Sequence, residues 1–570
     1  MASRSSPADY GLELRGWRPF AVIVAACLLA HIWCLTSQFY LDDPTAIRDS
    51  EEIRNGDIFR AITILWTRMG YVLQYRLFGL SEVGVHAVNW LLHTSIACLW
   101  LAFCRDWLRG QPGGTTRVAW FAALLFAVHP LASEIPNYAR TQDLAWVTLF
   151  SILAAWALLS FLRCKRWWKI VLLLTAVAGA TLSKGPGMFH ALILIGATGL
   201  ASMRSDQWRY FLRRGWIWSA LFAFVTFAGW VATMPPFVRR AIEMMEEPRF
   251  LGHALTLTRV FWEFAWRACI PVQLSADHHI QETLIPAGAS WWEIPDRVAL
   301  VSAFFMLVAA LGSALLLRRP RTRILGACLL VFIGTMGFRV LYLIPEFMPE
   351  YRIYPGMPCA CLALAIGLSW AWQRFATAVS PQVPAALLIL ILAAMSARRS
   401  FQWHDLDRLM ANVLHQYPAQ GRAIWELHRR DAYRGDWQKI VDRQRNDWPR
   451  VFRRFIEENR RLAPARELPT GHFALADVAT SALYAEALAH VHGAAPAMAE
   501  IRRLESHMKA LRIEQNLHWN YFHLGKVKVL MEIGQPSAAL AWVEKSGPWR
   551  YPKNLLHQLR ASVANAPETH

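Results

Sequence analysis

No cysteine follows Cys361, so the last third of the chain holds none of the nine and can carry no internal disulfide in any redox compartment. Long apolar runs stop too. Stretches of about 20 residues, enough to cross ~30 Å of hydrocarbon, recur up to about Ala397 and then give way to soluble, helix-prone sequence. Zinc spacing is absent: His190, His253, His278 and His279 match no known ligand pattern, so no metal is expected and a divalent cation is not favoured. The opening MASRSSPADYGLELRGWRPF lacks a short apolar core with a small-residue cleavage site, so the first span is expected to remain as an anchor. Acidic residues are scarce, 41 against 60 Lys and Arg, for a formal charge of +19. Many of the basic residues sit in short loops where they anchor topology against anionic headgroups, so no nucleic-acid partner is expected.

What is present is hydrophobic: 55% of the 570 residues are apolar. The pattern predicts an all-α protein, with a polytopic helical membrane domain over 1–397 and a soluble helical domain over 398–570. About eleven spans are expected, near 19–36, 85–104, 118–131, 144–162, 169–183, 188–203, 216–234, 298–317, 324–345, 355–372 and 383–397. Basic residues mark alternate loops: Arg105, Arg109 and Arg117; Arg163, Lys165, Arg166 and Lys169; Arg204, Arg209, Arg213 and Arg214; Arg318, Arg319, Arg321 and Arg323. The positive-inside rule puts these loops and the N-terminus in the cytoplasm. The segments 37–84, 129–143, 235–297 and 346–354, with the C-terminal domain, then lie outside, in the periplasm if the membrane is a bacterial inner one.

The soluble part carries helix-turn-helix punctuation. GAAPAMA at 493–499 and GQPSAAL at 534–540 are offset by 41 residues, close to helical-repeat periods, and RGDWQKI at 434–440 reads as a divergent earlier copy. YFHLGKVKVLMEIGQPSAALAW looks like a tetratricopeptide (TPR) repeat, with Leu524 and Gly525 at a helix crossing and Gly534 at a turn.

Four polar clusters fall at the outer ends of spans. Asp42 and Asp43 follow the first span directly, where a carboxylate near a lipid headgroup can act as general base, bind a cation, or cap a helix beside Pro44. FAVHPLASEIPNYARTQDLAW brings His129, Glu134, Arg140 and Asp143 between two apolar runs, as a site or as an ion-pair knot. EFMPEYRIYPGMP sets Glu346, Glu350, Arg352 and Tyr354 at another end, and Arg can hold a phosphate bidentately. LSKGPG at 182–187 offers Lys184 either to a lipid phosphate or as a snorkelling anchor. His86 and His93, two turns apart in the second span, read as packing or hydrogen-bonded residues.

These residues resemble one family, the tetratricopeptide-repeat-containing membrane O-mannosyltransferases and their bacterial relatives of the GT-C glycosyltransferase fold. LDDPTAI resembles the family's YDD-type loop, and YRLFGLSEVGVHAVNWLLH its segment leading into the second span. FAVHPLASEIPNYARTQDLAW is similar to its HP-x-x-x-E turn ending in R-A-D, TLSKGPG to its C-K-E-Q-G element, and EYRIYPGMP to its E-R-x-Y-x-P-S element. All five occur in order, over roughly residues 20–375. Departures are TQD for R-A-D, Gly185 for the acid after the lysine, and Pro358 and Cys359 in the run after Tyr354.

The resemblance implies a polyprenyl-phosphate-linked sugar as donor and a hydroxyl on an exported protein as acceptor. It implies that Asp42 or Asp43 is the base, that Arg352, Lys184 and Arg140 bind the donor phosphate, and that His129, Glu134, Asp143, Glu350 and Tyr354 position sugar or acceptor. The helical repeats would present a groove to the acceptor polypeptide. The alternatives are a transferase or ligase acting on a cell-surface glycan or lipid, and a non-catalytic transporter or assembly scaffold. A transporter would line both sides and the midplane with polar residues, whereas these clusters fall on one side.

Overall fold

The computed structural model describes residues 16–56, 66–110, 116–202, 250–280, 283, 296–341, 347–375, 380–451, 453, 472–510, 516–547 and 553–564. Every regular element among them is helical, and the chain divides into two compact units, Met1–Leu274 with Ile280–Asp405 and Ser275–His279 with Leu406–His570.

The first unit is built from α1 (Arg18–His31), α2 (Trp66–Phe78), α3 (Glu82–Leu108), α4 (Thr116–Ala127), α5 (Gln142–Cys164), α6 (Trp168–Ser183) and α7 (Gly187–Ser202). It continues with α8 (Phe250–Cys269), α9 (Arg297–Leu317), α10 (Arg323–Gly337), α11 (Met357–Phe375) and α12 (Gln382–Trp403). Local chemistry sets several starts. The Ser81 hydroxyl caps α3 by accepting the Gly84 N–H, and the Asp296 side chain caps α9 by accepting the Ala299 N–H. Helix α5 packs on α3, α6 and α7, while α12 packs on α1, around a core that includes Trp100, Phe103, Trp107, Phe126 and Phe264. On α9 and α12 many large apolar side chains face outward, among them Phe304, Phe305, Leu311, Leu387 and Leu390, as a lipid-facing surface requires.

Among the described residues six helical stretches are long and apolar enough to cross a membrane: Arg18–Thr36, Glu82–Leu108, Ala139–Cys164, Arg297–Leu317, Glu350–Phe375 and Gln382–Trp403. A seventh is added if Thr116–Ala127 and Pro130–Asn137, bent by 54°, count as one span. This is a multi-pass membrane protein, with fewer full-length spans among the described residues than the eleven expected. Three expected spans form the shorter apolar helices Trp168–Ser183, Gly187–Ser202 and Arg323–Gly337, and the expected span 216–234 lies outside the described residues.

The bend at Val128 and His129 has a local cause. Pro130 starts a new helical turn, and His129 Nδ1 accepts the Leu131 N–H while Nε2–H donates to Ala268 O at 3.0 Å. A break inside an apolar bundle frees carbonyls where no water can reach them. Side chains from other helices answer: His31 and His93 each place Nε2 3.1 Å from Ala127 O, and the Ser396 hydroxyl donates to Val128 O at 2.7 Å.

The second unit runs through α13 (Leu406–Gln416), α14 (Gly421–Arg434), α15 (Trp437–Asn446), α16 (His472–His492), α17 (Ala494–Ala510), α18 (Asn516–Glu532), α19 (Pro536–Ser546) and α20 (Lys553–Ala564). Ile440, Val478, Leu488, Ile501, Leu504, Phe522 and Val529 form its core. All three punctuation points are turns between consecutive helices, made by Gly435 (φ 76°), Gly493 (φ 83°) and Gly534 (φ 74°), a backbone region that favours glycine. Gly525 marks a close helix crossing, since a Cβ there would lie 2.7 Å from the Ala482 Cβ. Ser275–His279 counts with this unit, with His278 Nδ1 2.8 Å from the Tyr417 hydroxyl.

Candidate functional site

Asp42 and Asp43 are adjacent in sequence and opposite in environment. Asp43 is 1% exposed; its Oδ1 accepts the Arg140 backbone N–H at 2.7 Å and its Oδ2 the Tyr40 N–H at 3.3 Å. Burial pushes its carboxyl well above the usual carboxylate range, against the opposing pull of those N–H groups. The Asp42 side chain is 38% exposed, and its Oδ2 accepts from the Arg140 guanidinium at 2.7 Å. Asp43 therefore ties the loop after the first span to the turn before α5, while Asp42 faces outward in a charge-assisted pair.

The turn 135–141 is clamped from below. Asn89, in the N-terminal third of α3, reaches the carbonyls of Ile135, Tyr138 and Ala139 at 2.9, 3.0 and 3.2 Å. Gln142 Nε2 donates to Asn89 Oδ1 at 2.8 Å, and Gln74 donates in turn to Gln142 Oε1 at 2.8 Å. Above the clamp, the Tyr71 hydroxyl donates to Ala139 O and the Tyr138 hydroxyl accepts the Asp42 N–H.

Lys184 arrives from the turn between α6 and α7. Gly187 permits that turn, because a Cβ at this position would lie 1.8 Å from Ala180 O. The Lys184 ammonium donates to Asp143 Oδ2 at 2.7 Å. Burial lowers its pKa below the usual lysine value, and Arg352 and Arg140 push the same way against Asp143. Lys184 Nζ and Arg352 Cζ lie 6.0 and 5.8 Å from the centre of one ring, that of Tyr351. Asp42, Arg140, Asp143, Lys184 and Arg352 thus gather from four stretches of chain at helix ends, with Asp43 beneath them.

The other expected site residues lie deeper, each spent on protein partners. His129 is 2% exposed and caps the turn after the bend. Tyr354 is buried, its hydroxyl donating to His93 Nδ1 at 2.8 Å. Glu134 Oε2 accepts the Tyr351 N–H at 2.7 Å, and Arg399 lies 3.6 Å from Glu134 Oε1 and 3.1 Å from Glu350 Oε2. Glu346 falls outside the described residues. His86 is buried, with Nδ1 3.2 Å from Pro136 O. Sequence reasoning missed Asn89, Gln142, Tyr138, Tyr351 and Arg399. Asn89 and Gln142 left a signal, as uncharged polar residues inside or at the start of apolar helices. Among the described residues no group of three or more His, Cys, Asp or Glu is placed to hold a metal ion.

This architecture defines a polytopic helical membrane protein with a charged cluster gathered at the ends of its helices. Against known proteins, the chain is 28% identical over 195 residues to the Protein O-mannosyl-transferase TMTC3 of Mus musculus, covering 29% of this chain and 19% of that protein. It is 23% identical over 470 residues to the Protein O-mannosyl-transferase F38B6.6 of Caenorhabditis elegans, covering 78% of this chain and 64% of that protein. The chain is a distant homologue of these protein O-mannosyl-transferases and spans less than two thirds of the length of either. No family model matches it. Among solved structures, ArnT from Cupriavidus metallidurans bound to undecaprenyl phosphate aligns with a TM-score of 0.32 at 14% identity, over 92% of this chain and 79% of that one.

Proposed function

We propose that the chain is a membrane glycosyltransferase that moves a sugar from a polyprenyl-phosphate carrier to a hydroxyl of an exported protein, on the non-cytoplasmic face. One observation carries this: an outward-facing carboxylate, Asp42, paired at 2.7 Å with Arg140 in the same cluster as Lys184 and Arg352. Homology to protein O-mannosyl-transferases supports a glycosyl donor and a hydroxyl acceptor. Three cations at the ends of apolar helices suit a phosphate whose prenyl tail lies in the bilayer.

In this reading Asp42 takes the proton of the acceptor hydroxyl as its oxygen attacks the anomeric carbon with inversion. The bond from that carbon to the phosphate oxygen breaks, and its electron pair leaves with the lipid phosphate. Arg352, Lys184 and Arg140 balance the charge that develops there. Asp42 is the base rather than Asp43, because Asp43 is enclosed and already accepts two backbone N–H groups. Asp143 orients Lys184, and Glu134 and Glu350 act through the turn that carries Arg352. The basic loops favour a cytoplasmic N-terminus, which with eleven spans puts the helical second unit outside, where it would hold the acceptor polypeptide.

Intact-mass analysis of exported proteins from cells with and without the gene tests this. The expected result is loss of a hexose- or pentose-sized increment from one or more of them, restored by the wild-type chain and not by Asp42→Asn. Identical mass spectra in both strains would refute the assignment.

A further inference from the structure

Arg399 takes no part in that chemistry, yet it is 3% exposed inside the last apolar helix, where a charge is expensive. Its guanidinium lies 3.1 Å from Glu350 Oε2 and 3.6 Å from Glu134 Oε1, and donates to Leu274 O at 3.1 Å. Glu134 passes the constraint on, since its other oxygen accepts the Tyr351 N–H at 2.7 Å. Tyr351 carries the ring flanked by Lys184 and Arg352. One turn further along α12, the Trp403 ring stacks on Tyr138 with centroids 5.7 Å apart and planes at 24°, and the Tyr138 hydroxyl meets the Asp42 N–H at 3.2 Å. Arg399 Cζ itself lies 6.0 Å from the Trp403 ring. Two residues on one face of α12 therefore brace both halves of the cluster, the cations through Tyr351 and the carboxylate through Tyr138.

Stability alone is a poor reason for this arrangement. Well-packed apolar side chains in place of a buried ion triad are often as stable or more so. They would not fix the Tyr351 N–H against a carboxylate pinned from a third helix. We infer that Arg399 is a positioning residue of the transfer site: through Glu134 and Glu350 it sets the Tyr351–Arg352 turn, and with it the spacing between the phosphate-binding cations and Asp42. The inference rests on the transferase reading for its purpose and on the geometry for its linkage.

The full chain in lipid nanodiscs tests both separately. Arg399→Met combined with Glu134→Gln and Glu350→Gln removes all three charges together and leaves none buried alone. Three quantities are read: the thermal unfolding midpoint, the pH profile of Lys184 acylation by an amine reagent, and kcat and KM for transfer. The expected result is a midpoint near that of wild type, an acylation midpoint moved to higher pH as Arg352 draws away from Lys184, and kcat at least ten-fold lower. Arg399→Lys, which keeps the charge without the fork, should fall between. An unchanged acylation profile in folded triple variant overturns the inference, as does unchanged kcat in an active enzyme. If the triple variant does not fold, Arg399→Lys decides, and a wild-type acylation profile per folded molecule sinks the proposal. A wild-type chain that transfers no sugar defeats the transferase reading by itself, and the Lys184 profile then judges Arg399 alone.

Discussion

Arg140 holds Asp43 with its backbone N–H, 2.7 Å from Oδ1, so the residue whose guanidinium faces the site is locked in place by a carboxylate that does not. The two aspartates should therefore fail in different ways. Asp42→Asn is expected to fold and bind lipid like wild type while losing transfer by two orders of magnitude or more, the range for a lost general base. Asp43→Asn offers one acceptor oxygen to two buried N–H groups, leaving one bare at a cost of about 1–3 kcal/mol. Its signature is a lower unfolding midpoint and yield, measured by thermal scanning in detergent. Equal midpoints for the two variants would contradict this division of labour.

Under the proposed function, Lys184 sets the alkaline limit of phosphate binding. Its pKa is lowered, chiefly by burial, so the ammonium is intact below that value and lost as pH rises through it. Polyprenyl-phosphate binding, followed by a titration at each pH, should weaken at a pH below the ordinary lysine range near ~10.4. Lys184→Arg keeps its charge at those pH values and should remove the limb; a limb of the same position in that variant would exclude Lys184 as its source.

Gly187→Ala should disable the same lysine by another route. A methyl group 1.8 Å from Ala180 O forces the turn that presents Lys184 away from α6. Loss of phosphate binding with the rest of the bundle still folded is expected; binding at wild-type strength would show that the turn can move without consequence.

Asn89→Leu tests the clamp. The leucine fits the apolar span but removes the Asn89 amide from the carbonyls of Ile135, Tyr138 and Ala139, which keep the Thr141 and Tyr71 hydroxyls, and takes from the buried Gln142 Nε2 its Asn89 Oδ1 acceptor, a loss costing on the order of 1–3 kcal/mol. Reduced folded yield and faster proteolysis within 129–143 should follow. A variant as protease-resistant as wild type would mean the turn is held by other contacts.

The helices and the cluster were readable from different signals. Continuous apolar runs marked Glu82–Leu108 and Gln382–Trp403 because lipid demands them, and LDD, YARTQD, SKG and EYR marked the cluster because charges at span ends need a reason. Depth was not readable. Asp42 and Asp43 look alike on paper, and what separates them is burial of Asp43 against the Arg140 and Tyr40 N–H groups. The sugar- or acceptor-positioning roles expected of Glu134 and Glu350 come from the resemblance, whereas their buried partner Arg399 lies two residues past Ala397, the expected end of the last span, on a helix that carries on to Trp403. The pair Arg398 and Arg399 at the end of an apolar run was the available clue. The span expected at 118–131 breaks because His129 and Pro130 interrupt an otherwise unbroken apolar string, a matter of capping that hydropathy does not weigh.

That break behaves as a fixed elbow. Straightening it would strip His31 and His93 of their shared acceptor, Ala127 O, and Ser396 of Val128 O, and swivelling it would bare those two peptide oxygens inside an apolar bundle. Any movement at the charged cluster must therefore start in the loops above this joint, which leaves the elbow as a stationary reference for the helices packed around it.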